Sequence, residues 1–442
     1  MRSLSAIGIG LMPGTPACLR RSPTPAPAPT PAPAPAPPPA PALLALNDRL
    51  VFEGDSGFAT SSNVQTYPSL IVPMIRGKLR MPLGWNQASG GQTTHQMVTQ
   101  IAEVNAANPA MVVVRGGGND DKSSDAARDA TISNLRQMVA GYLSGTARFV
   151  VIGTLTPRYS PATLAPAHEV RRQEINEAIR TMASDRVKVE DMDLLNLAAS
   201  DFNDGIHPNQ FGSAKGSAAF AAVINRLIDP AADPLPLYNS PGNVLQTRGK
   251  DPSFSKGGGL IDNTGTGSIN NVTTASAAGA TSAGIPLGWT IGNPTSLAIT
   301  VSRIDRGDGT FGCRIQGRGA ATAKGRIQLR TNLTRSPAAV AGQTNEQWVG
   351  YEQAADMQGV GNIGMLSTSS LDWTPGRSQD TGYATGPGLP AISGVLRTAQ
   401  QGAYGSTGLT SFTQYIELYV QPGAVDFDVT FHKPYATLVT AG

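Results

Sequence analysis

The chain has 442 residues, with 34 lysines and arginines against 31 aspartates and glutamates, so its formal net charge is only +3. Charged residues make up 15% of it, while glycine (50) and proline (34) are frequent, which argues against a coiled coil, a long-helix protein or a highly charged disordered chain. The balanced charge gives no sign of a nucleic-acid partner, and no stretch approaches the roughly 20 continuous apolar residues that span a bilayer.

The first 46 residues predict a leader and a spacer. Residues 1–21 carry one basic residue ahead of a short apolar stretch, which is compatible with a signal peptide or a short anchoring peptide. Residues 22–46 are rich in proline and alanine, with 11 prolines between positions 23 and 41. Such a run adopts an extended polyproline II conformation, so we expect a semi-rigid tether. These features favour a secreted, extracellular protein or, as an alternative, a virion-associated one.

Residues 47–230 predict an α/β domain. Short β-branched runs alternate here with stretches of helical periodicity. We expect strands at 50–52, 112–114, 149–152 and 187–189, and helices at 94–106, 124–143, 169–182 and 214–228. Short buried strands that alternate with helices indicate a parallel sheet covered by helices on both faces.

Residues 231–442 read as an all-β domain. Strands are expected at 297–301 and 311–316 on either side of an Asp308-Gly309 turn, and at 326–333. Alternation at 415–420 and 425–431, around Pro422-Gly423, predicts a further hairpin. Several strands with one buried face are typical of a β-sandwich or jelly roll. Cys313 falls in one of these strands, far from Cys18, so a structural disulfide is not expected.

A serine and a histidine stand out in the α/β domain. Ser56 follows the first strand and a Gly-Asp pair, at the edge where parallel sheets bind their ligands. Of the four histidines, His207 is the one with an acid, Asp204, three residues earlier in a loop; the contexts of His95, His168 and His432 suit structural or surface roles. A serine, an aspartate and a histidine together would form a nucleophile, an orienting group and a base.

Two glycine-rich segments follow other strands. Residues 115–120 (Arg-Gly-Gly-Gly-Asn-Asp) place the amide of Asn119 after the second strand, where a neutral donor could stabilise an oxyanion. Residues 86–94 form a polar turn in which a glycine N–H could supply another donor, and Thr93 or Thr94 would cap the next helix. No Gly-Lys-Ser/Thr sequence follows the glycines, which argues against a phosphate-binding loop.

Four segments resemble, in order and spacing, the four conserved blocks of the SGNH hydrolases, also called GDSL-type esterases. They are Gly54-Asp55-Ser56 and residues 86–94, 117–120 and 204–207. The resemblance implies a flavodoxin-like parallel sheet. It also implies Ser56 as nucleophile, His207 as base and Asp204 as its orienting acid. The implied oxyanion donors are the N–H of Ser56, the N–H of Gly91 and the amide of Asn119. Two departures are Gly57, where the family has leucine, and an adjacent Gly90 that competes with Gly91.

These features predict a serine esterase that acts through an acyl-serine, without a metal or organic cofactor. We expect it to hydrolyse short acetyl esters, with acetylated carbohydrate or another small ester as substrate. Tryptophans at 289, 348 and 373 could stack on sugars in the β domain, although core positions are commoner for tryptophan. Two alternatives stay open, a lipase- or thioesterase-type hydrolase and a phage-type structural or receptor-binding appendage with auxiliary esterase activity. The oligomeric state is not predicted.

Overall fold

A parallel four-stranded sheet organises the N-terminal part of the protein. The computed structural model describes residues 41–59, 67–247, 250–261, 272–275, 284–339, 342–369, 376–377, 388–400 and 409–440. The four strands are hydrogen-bonded in chain order, and they span β1 Leu50–Gly54, β2 Met111–Arg115, β3 Phe149–Gly153 and β4 Val187–Glu190. All four expected strands are present, and the predicted α/β fold class is confirmed. The leader and most of the spacer lie outside the described residues.

Residues 80–86 run along the edge of β1 that does not pair with β2. Single parallel bridges join Arg49 to Arg80 and Phe52 to Asn86. Chain segments that follow β1 therefore lie on both of its sides, with 80–86 on one and β2 on the other. Such a reversal leaves a crevice at the carboxyl end of the central strand, where open α/β sheets bind ligands.

Helices cover both faces of this sheet. Their bounds are α1 Tyr67–Met74, α2 Thr94–Thr99, α3 Ile101–Ala106, α4 Asp125–Ser144, α5 Pro166–Arg180 and α6 Gln210–Asn225. Apolar side chains of α2 to α5 pack with one face of the strands, and those of α1 and α6 pack with the other. Short 3₁₀ turns occur at Met192–Leu194, Ala199–Asp201 and Leu235–Asn239, and a one-turn helix, α7, spans Val244–Thr247. None of the described helices is long and apolar enough to span a membrane.

Two helical features differ from the sequence expectation. The helix expected at 94–106 is interrupted at Gln100, which ends α2 and precedes α3 with φ −94° and ψ 0°. Helix α1 was not predicted, because its first seven residues are all buried and it has two prolines, so no amphipathic period shows. Pro68 lies in its first turn, where proline is tolerated, whereas Pro73 near its end has no N–H to donate to the preceding turn.

The C-terminal region is a β-sandwich. Its strands are β5 Leu260–Ile261, β6 Val272–Ala275, β7 Thr290–Gly292, β8 Ile299–Asp305, β9 Phe311–Ala321, β10 Gly325–Ala339, β11 Gln343–Gln353, β12 Met357–Gln358, β13 Val360–Ser369, β14 Gly376–Arg377, β15 Gly388–Leu389, β16 Gly394–Arg397, β17 Leu409–Val420 and β18 Gly423–Thr440. One sheet has the order β14-β13-β17-β10-β7-β5, and the other has β15-β12-β18-β9-β8-β6, with β11 paired to β18 and β16. Side chains from both sheets share one apolar core, which includes the buried Cys313. An antiparallel, β-rich region was predicted and is confirmed; the narrower jelly-roll topology stays a prediction.

The prediction of a hairpin around Pro422-Gly423 is wrong. Strand β17 pairs with β10 and β13, whereas β18 pairs with β9, β11 and β12, so the turn carries the chain from one sheet to the other. Alternate residues of both strands are buried in the shared core, including Leu418 and Phe427. The same alternation arises in a hairpin and in a connection between facing sheets, so the sequence does not distinguish the two.

A buried ion-pair network joins the α/β region to the sandwich, within the single compact unit that residues 41–442 form. Glu346 and Arg397, both in the sandwich and both with fully buried side chains, lie 3.0 Å apart between Oε2 and Nη2. From the α/β region, Arg80 Nη2 donates to Glu346 Oε2 at 3.2 Å, and the carbonyl of Gly77 accepts from Arg397 Nη1 at 2.8 Å. The Arg397 guanidinium also lies 4.9 Å from the ring centroid of Trp348.

Glu53 is a fully buried carboxyl group in β1, three residues before Ser56. Burial raises its pKa to about 8; the N–H of Gly54 opposes the shift, and the Glu103 carboxylate adds to it. In the unfolded chain the group ionises near pH 4.5. Between these two values the folded state holds more protons than the unfolded state. The free energy of unfolding therefore falls as pH rises through this range.

Glu53→Gln removes this titration while keeping the shape of the side chain. We expect it to raise the free energy of unfolding by about 4 kcal/mol at pH 8 and by less than about 1 kcal/mol at pH 5. Urea unfolding at the two pH values measures the difference. Glu177→Gln is the matched control, because the Glu177 side chain on α5 is 71% exposed. An equal effect of Glu53→Gln at both pH values would contradict the assignment of a buried, protonated carboxyl.

Candidate active site

Ser56 lies at the carboxyl edge of the sheet, in a sharp turn directly after β1. The N–H of Phe58 donates to the carbonyl of Asp55 at 2.9 Å and closes this turn. Only glycine fits at position 54, since a Cβ there would lie 2.6 Å from the carbonyl oxygen of Arg115. The Gly-Asp-Ser sequence thus brings the strand end close to β2 and leaves the Ser56 side chain half-buried at the crevice.

His207 and Asp204 occupy the loop that precedes α6. Ser56 Oγ lies 2.9 Å from His207 Nε2, and His207 Nδ1 lies 2.7 Å from Asp204 Oδ2. Gly205 allows this tight loop because its φ is +82° and a Cβ there would clash with the carbonyl of Tyr159. The structure therefore brings the three residues predicted from the sequence into one chain of hydrogen bonds.

The carboxylate of Asp204 is held in place by the loop itself. Its Oδ1 accepts the backbone N–H groups of His207 at 2.7 Å and of Ile206 at 3.0 Å. Partial burial on its own would raise the pKa of Asp204, but the hydrogen bonds from the His207 backbone and ring and from Ile206 outweigh it and lower the pKa to about 2. An ionised Asp204 fixes the proton of His207 on Nδ1, which leaves Nε2 free to accept the Ser56 proton.

The predicted oxyanion donors are only partly brought together. Asn119 lines the same pocket as Ser56 and His207, and its Nδ2 donates to the carbonyl of Gln92 at 3.1 Å. Gly91 lines a neighbouring shallow depression, which Gly90 also lines. The position of Asn119 suits the predicted role, whereas the role of Gly91 and the choice between the two glycines stay predictions.

Residues 52–215 match the family described as GDSL-like Lipase/Acylhydrolase. These residues form a GDSL-type hydrolase domain. The resemblance drawn from the four sequence segments is confirmed, and the chain is a carboxylic ester hydrolase. No curated protein matches the chain.

Several solved structures are similar to part of this chain. A family 3 carbohydrate esterase from Talaromyces cellulolyticus is 16% identical, with 41% of this chain and 97% of that chain covered and a TM-score of 0.34. A lipase/acylhydrolase from Enterococcus faecalis is 19% identical, with coverages of 41% and 98% and a TM-score of 0.33. A family 3 carbohydrate esterase from Clostridium thermocellum is 14% identical, with coverages of 41% and 100% and a TM-score of 0.33.

Beside Ser56, the GDSL-type hydrolase domain contains an ion pair that sequence reasoning missed. Arg115 Nη1 lies 2.8 Å from Asp55 Oδ1, and both side chains are buried. The same carboxylate oxygen accepts the N–H of Gly57 at 3.0 Å, and Arg115 Nη2 donates to Thr156 Oγ1 at 3.1 Å. These bonds fix the turn that presents Ser56. The feature of the sequence that could have indicated this ion pair is a charged residue at the end of an otherwise apolar strand.

The tryptophans expected to stack on sugars are not exposed where the structure describes them. Trp289 and Trp348 are 1% and 2% exposed, and Trp348 stacks on Tyr435 with ring centroids 4.2 Å apart. The core interpretation is therefore right for both, and neither can reach a sugar. Trp373 lies outside the described residues. Carbohydrate binding by the sandwich stays a prediction, and these two tryptophans no longer support it.

The remaining histidines lie on other elements than Ser56, Asp204 and His207. His95 is exposed on α2, His168 is half-buried on α5, and His432 is buried in β18. Across the described ranges, no group of three or more histidine, cysteine, aspartate or glutamate side chains is placed to hold a metal ion.

Proposed function

We propose that the GDSL-type hydrolase domain removes short acyl groups, acetyl above all, from hydroxyl groups of carbohydrate through an acyl-serine intermediate. The observation that carries this proposal is the continuous hydrogen-bond chain from Ser56 through His207 to Asp204, with lengths of 2.9 Å and 2.7 Å. A serine hydroxyl is a weak nucleophile unless a base takes its proton as it attacks. These two distances support His207 as that base and Asp204 as its orienting carboxylate.

In the acylation step, Ser56 Oγ attacks the ester carbonyl carbon while His207 Nε2 takes the hydroxyl proton. The carbonyl oxygen becomes an oxyanion, for which the N–H groups of Ser56 and Gly91 and the Asn119 amide are the proposed donors. A side-chain amide has two N–H bonds, so Asn119 can hold the Gln92 carbonyl with one and the oxyanion with the other. The C–O bond then breaks, and His207 returns the proton to the departing alcohol.

Deacylation repeats these steps with water as the nucleophile. His207 takes one proton from water as the oxygen attacks the acyl carbon, and it returns that proton to Ser56 Oγ when the acid leaves. Asp204 stays ionised throughout, since its pKa is about 2. It stabilises the imidazolium that forms in both halves of the reaction.

The lining of the pocket supports a short acyl group and a polar alcohol. Among the described residues that line the pocket, Leu155, Ile206 and Pro208 are the apolar side chains, and the others are polar, charged or glycine. A long acyl chain would need an extended apolar groove to gain binding energy from its methylene groups. A sugar alcohol instead gains from many hydrogen-bonding side chains.

Acyl-chain selectivity tests this proposal. We expect kcat/KM for 4-nitrophenyl esters to be highest for acetate and to fall by about tenfold or more by octanoate, because the pocket gives the added methylene groups little apolar surface to bury. We also expect acetate release from partially acetylated polysaccharides, with Ser56→Ala as the blank. Ser144→Ala is the matched control, an exposed serine at the end of α4. Activity that rises with chain length would favour the lipase or thioesterase alternative.

A further inference from the structure

Among the described residues that line the pocket of Ser56, cationic side chains outnumber carboxylates. Its wall includes four cationic side chains, Arg115, Lys122, Arg158 and Arg172. Two of them have carboxylate partners. Arg115 pairs with Asp55 at 2.8 Å, and Arg172 pairs with Asp193 at 2.7 Å and with Glu169. Lys122 and Arg158 are the two that remain.

Lys122 is a fixed charge with no free N–H bond. Its Nζ donates to three backbone carbonyls, those of Gly117 at 2.8 Å, Gly118 at 3.2 Å and Asp120 at 2.9 Å. Burial and the charge of Arg158 together lower the pKa of Lys122 to about 8, against the opposing charges of Asp120, Asp121 and Asp55. The ammonium group therefore adds positive potential to the pocket at neutral pH, without a bond of its own to offer a ligand.

Arg158 differs because most of its donors are free. It follows β3, lies half-buried in the pocket wall and donates to the carbonyl of Gly118. It makes no ion pair in the part of the chain that the structure describes. A guanidinium has five N–H donors in a planar fork that matches a carboxylate. Burial, together with the charges of Arg115 and Arg172, lowers its pKa against the opposing charge of Asp55, so a further anion beside it would relieve an unfavourable environment.

We propose that the ester substrate carries a carboxylate next to the acylated position, as in an O-acetylated uronic acid unit, and that Arg158 binds this carboxylate. The inference rests on the proposed esterase function and deepens it. The same pocket wall contains the nucleophile and an arginine without a carboxylate partner, so a sugar acid that presents its ester to Ser56 can place its carboxylate on Arg158. Sulfate or phosphate would present similar oxygens, but a planar carboxylate matches the guanidinium fork, and it occurs within the sugar ring unit itself.

A matched pair of substrates tests the proposal. Partially O-acetylated methyl glucuronide and its uronamide have the same sugar and the same acetyl groups, and they differ in the charge at one carbon. We expect the wild-type enzyme to release acetate from the uronate with a kcat/KM about tenfold higher than from the uronamide, because hydrogen bonds to a charged group are the stronger ones. Arg158→Gln should reduce this ratio to about one, and Arg158→Lys should restore part of it.

The control variant is Arg318→Gln, on the sandwich, where the side chain is 86% exposed; it should keep the wild-type ratio. Arg158→Gln should fold, because the Gly118 carbonyl keeps the Lys122 donor at 3.2 Å. The ratio of kcat/KM for the two substrates distinguishes a role of Arg158 in substrate binding from a role in positioning other residues. If Arg158 only holds the loop of Asn119, both substrates lose activity equally, and the proposal is overturned.

Direct binding gives a second readout that needs no turnover. Calorimetry with Ser56→Ala and unacetylated methyl glucuronide should show binding that weakens with added salt and that is lost in Ser56→Ala/Arg158→Gln. Ser56-dependent hydrolysis without preference for the uronate would overturn this inference and leave the esterase function standing. Absence of hydrolysis of every ester would overturn both.

Discussion

Ser56→Ala lowers kcat/KM for 4-nitrophenyl acetate by about 10⁴-fold or more if the triad acts as proposed, because the remaining oxyanion donors and substrate binding cannot replace the nucleophile. His207→Ala is expected to cost about as much, since it removes the base that lies 2.9 Å from Ser56 Oγ. The decisive measurement is the double variant. Residues that act as one unit are strongly non-additive, so Ser56→Ala/His207→Ala should be about as slow as either single variant.

The control for this experiment is the folded state of each variant. Ser56 is half-buried and its hydroxyl is bonded to His207, so removal of Oγ should leave the circular dichroism spectrum and the urea midpoint almost unchanged. A Ser56→Ala enzyme that keeps more than a few per cent of wild-type activity would show that another group attacks the ester. Losses that multiply in the double variant would show that Ser56 and His207 act in separate steps.

Arg397→Ala is expected to lower the free energy of unfolding by about 3–5 kcal/mol, the range typical when one member of a buried ion pair is removed. The variant deletes the guanidinium bonds to Glu346 at 3.0 Å, to the Asn47 side chain at 2.7 Å and to the Gly77 carbonyl at 2.8 Å. Glu346 keeps Arg80 as a partner on the same oxygen, but the buried Gly77 carbonyl loses its donor and the buried carboxylate loses one of its two cationic partners. Urea unfolding followed by tryptophan fluorescence measures the loss, with Trp348 as a probe beside the substituted site.

Arg318→Ala is the matched control for this prediction. It removes the same kind of side chain from the sandwich, but its carboxylate partner Asp426 is half-exposed, and the pair lies in solvent. Pairs of this kind contribute at most about 1 kcal/mol. A comparable loss of stability in the two variants would mean that the Arg397 network does not hold the α/β region to the sandwich.

The sequence was informative about the site where chemistry restricts residue type at short range. Asp204 and His207 are three residues apart, and Ser56 follows a glycine at a strand end, so the local patterns could be recognised separately. Their contact across 151 residues depends on the parallel sheet, whose buried, β-branched strands were also predictable. The family resemblance then supplied the order of the segments.

Other features depended on contacts that leave no periodic trace in the sequence. Helix α1 is buried on every side, which removes the polar face that a helical pattern needs. Strands β17 and β18 alternate as a hairpin would, although they pair in different sheets. Arg115 ends β2 and Arg158 follows β3, and only the folded pocket shows that Arg115 has a carboxylate partner while Arg158 has none among the described residues.

The placement of β17 and β18 also affects how the sandwich can form during synthesis. These strands come late in the chain, yet each pairs on both sides, β17 with β10 and β13, and β18 with β9 and β11. Until they leave the ribosome, the earlier strands lack their neighbours in both sheets and expose apolar edges. The α/β region can fold first, because the last strand of its sheet ends at residue 190. A chain truncated before Leu409 should therefore contain a folded hydrolase domain attached to an incomplete sandwich, whose unpaired strand edges make it prone to aggregate.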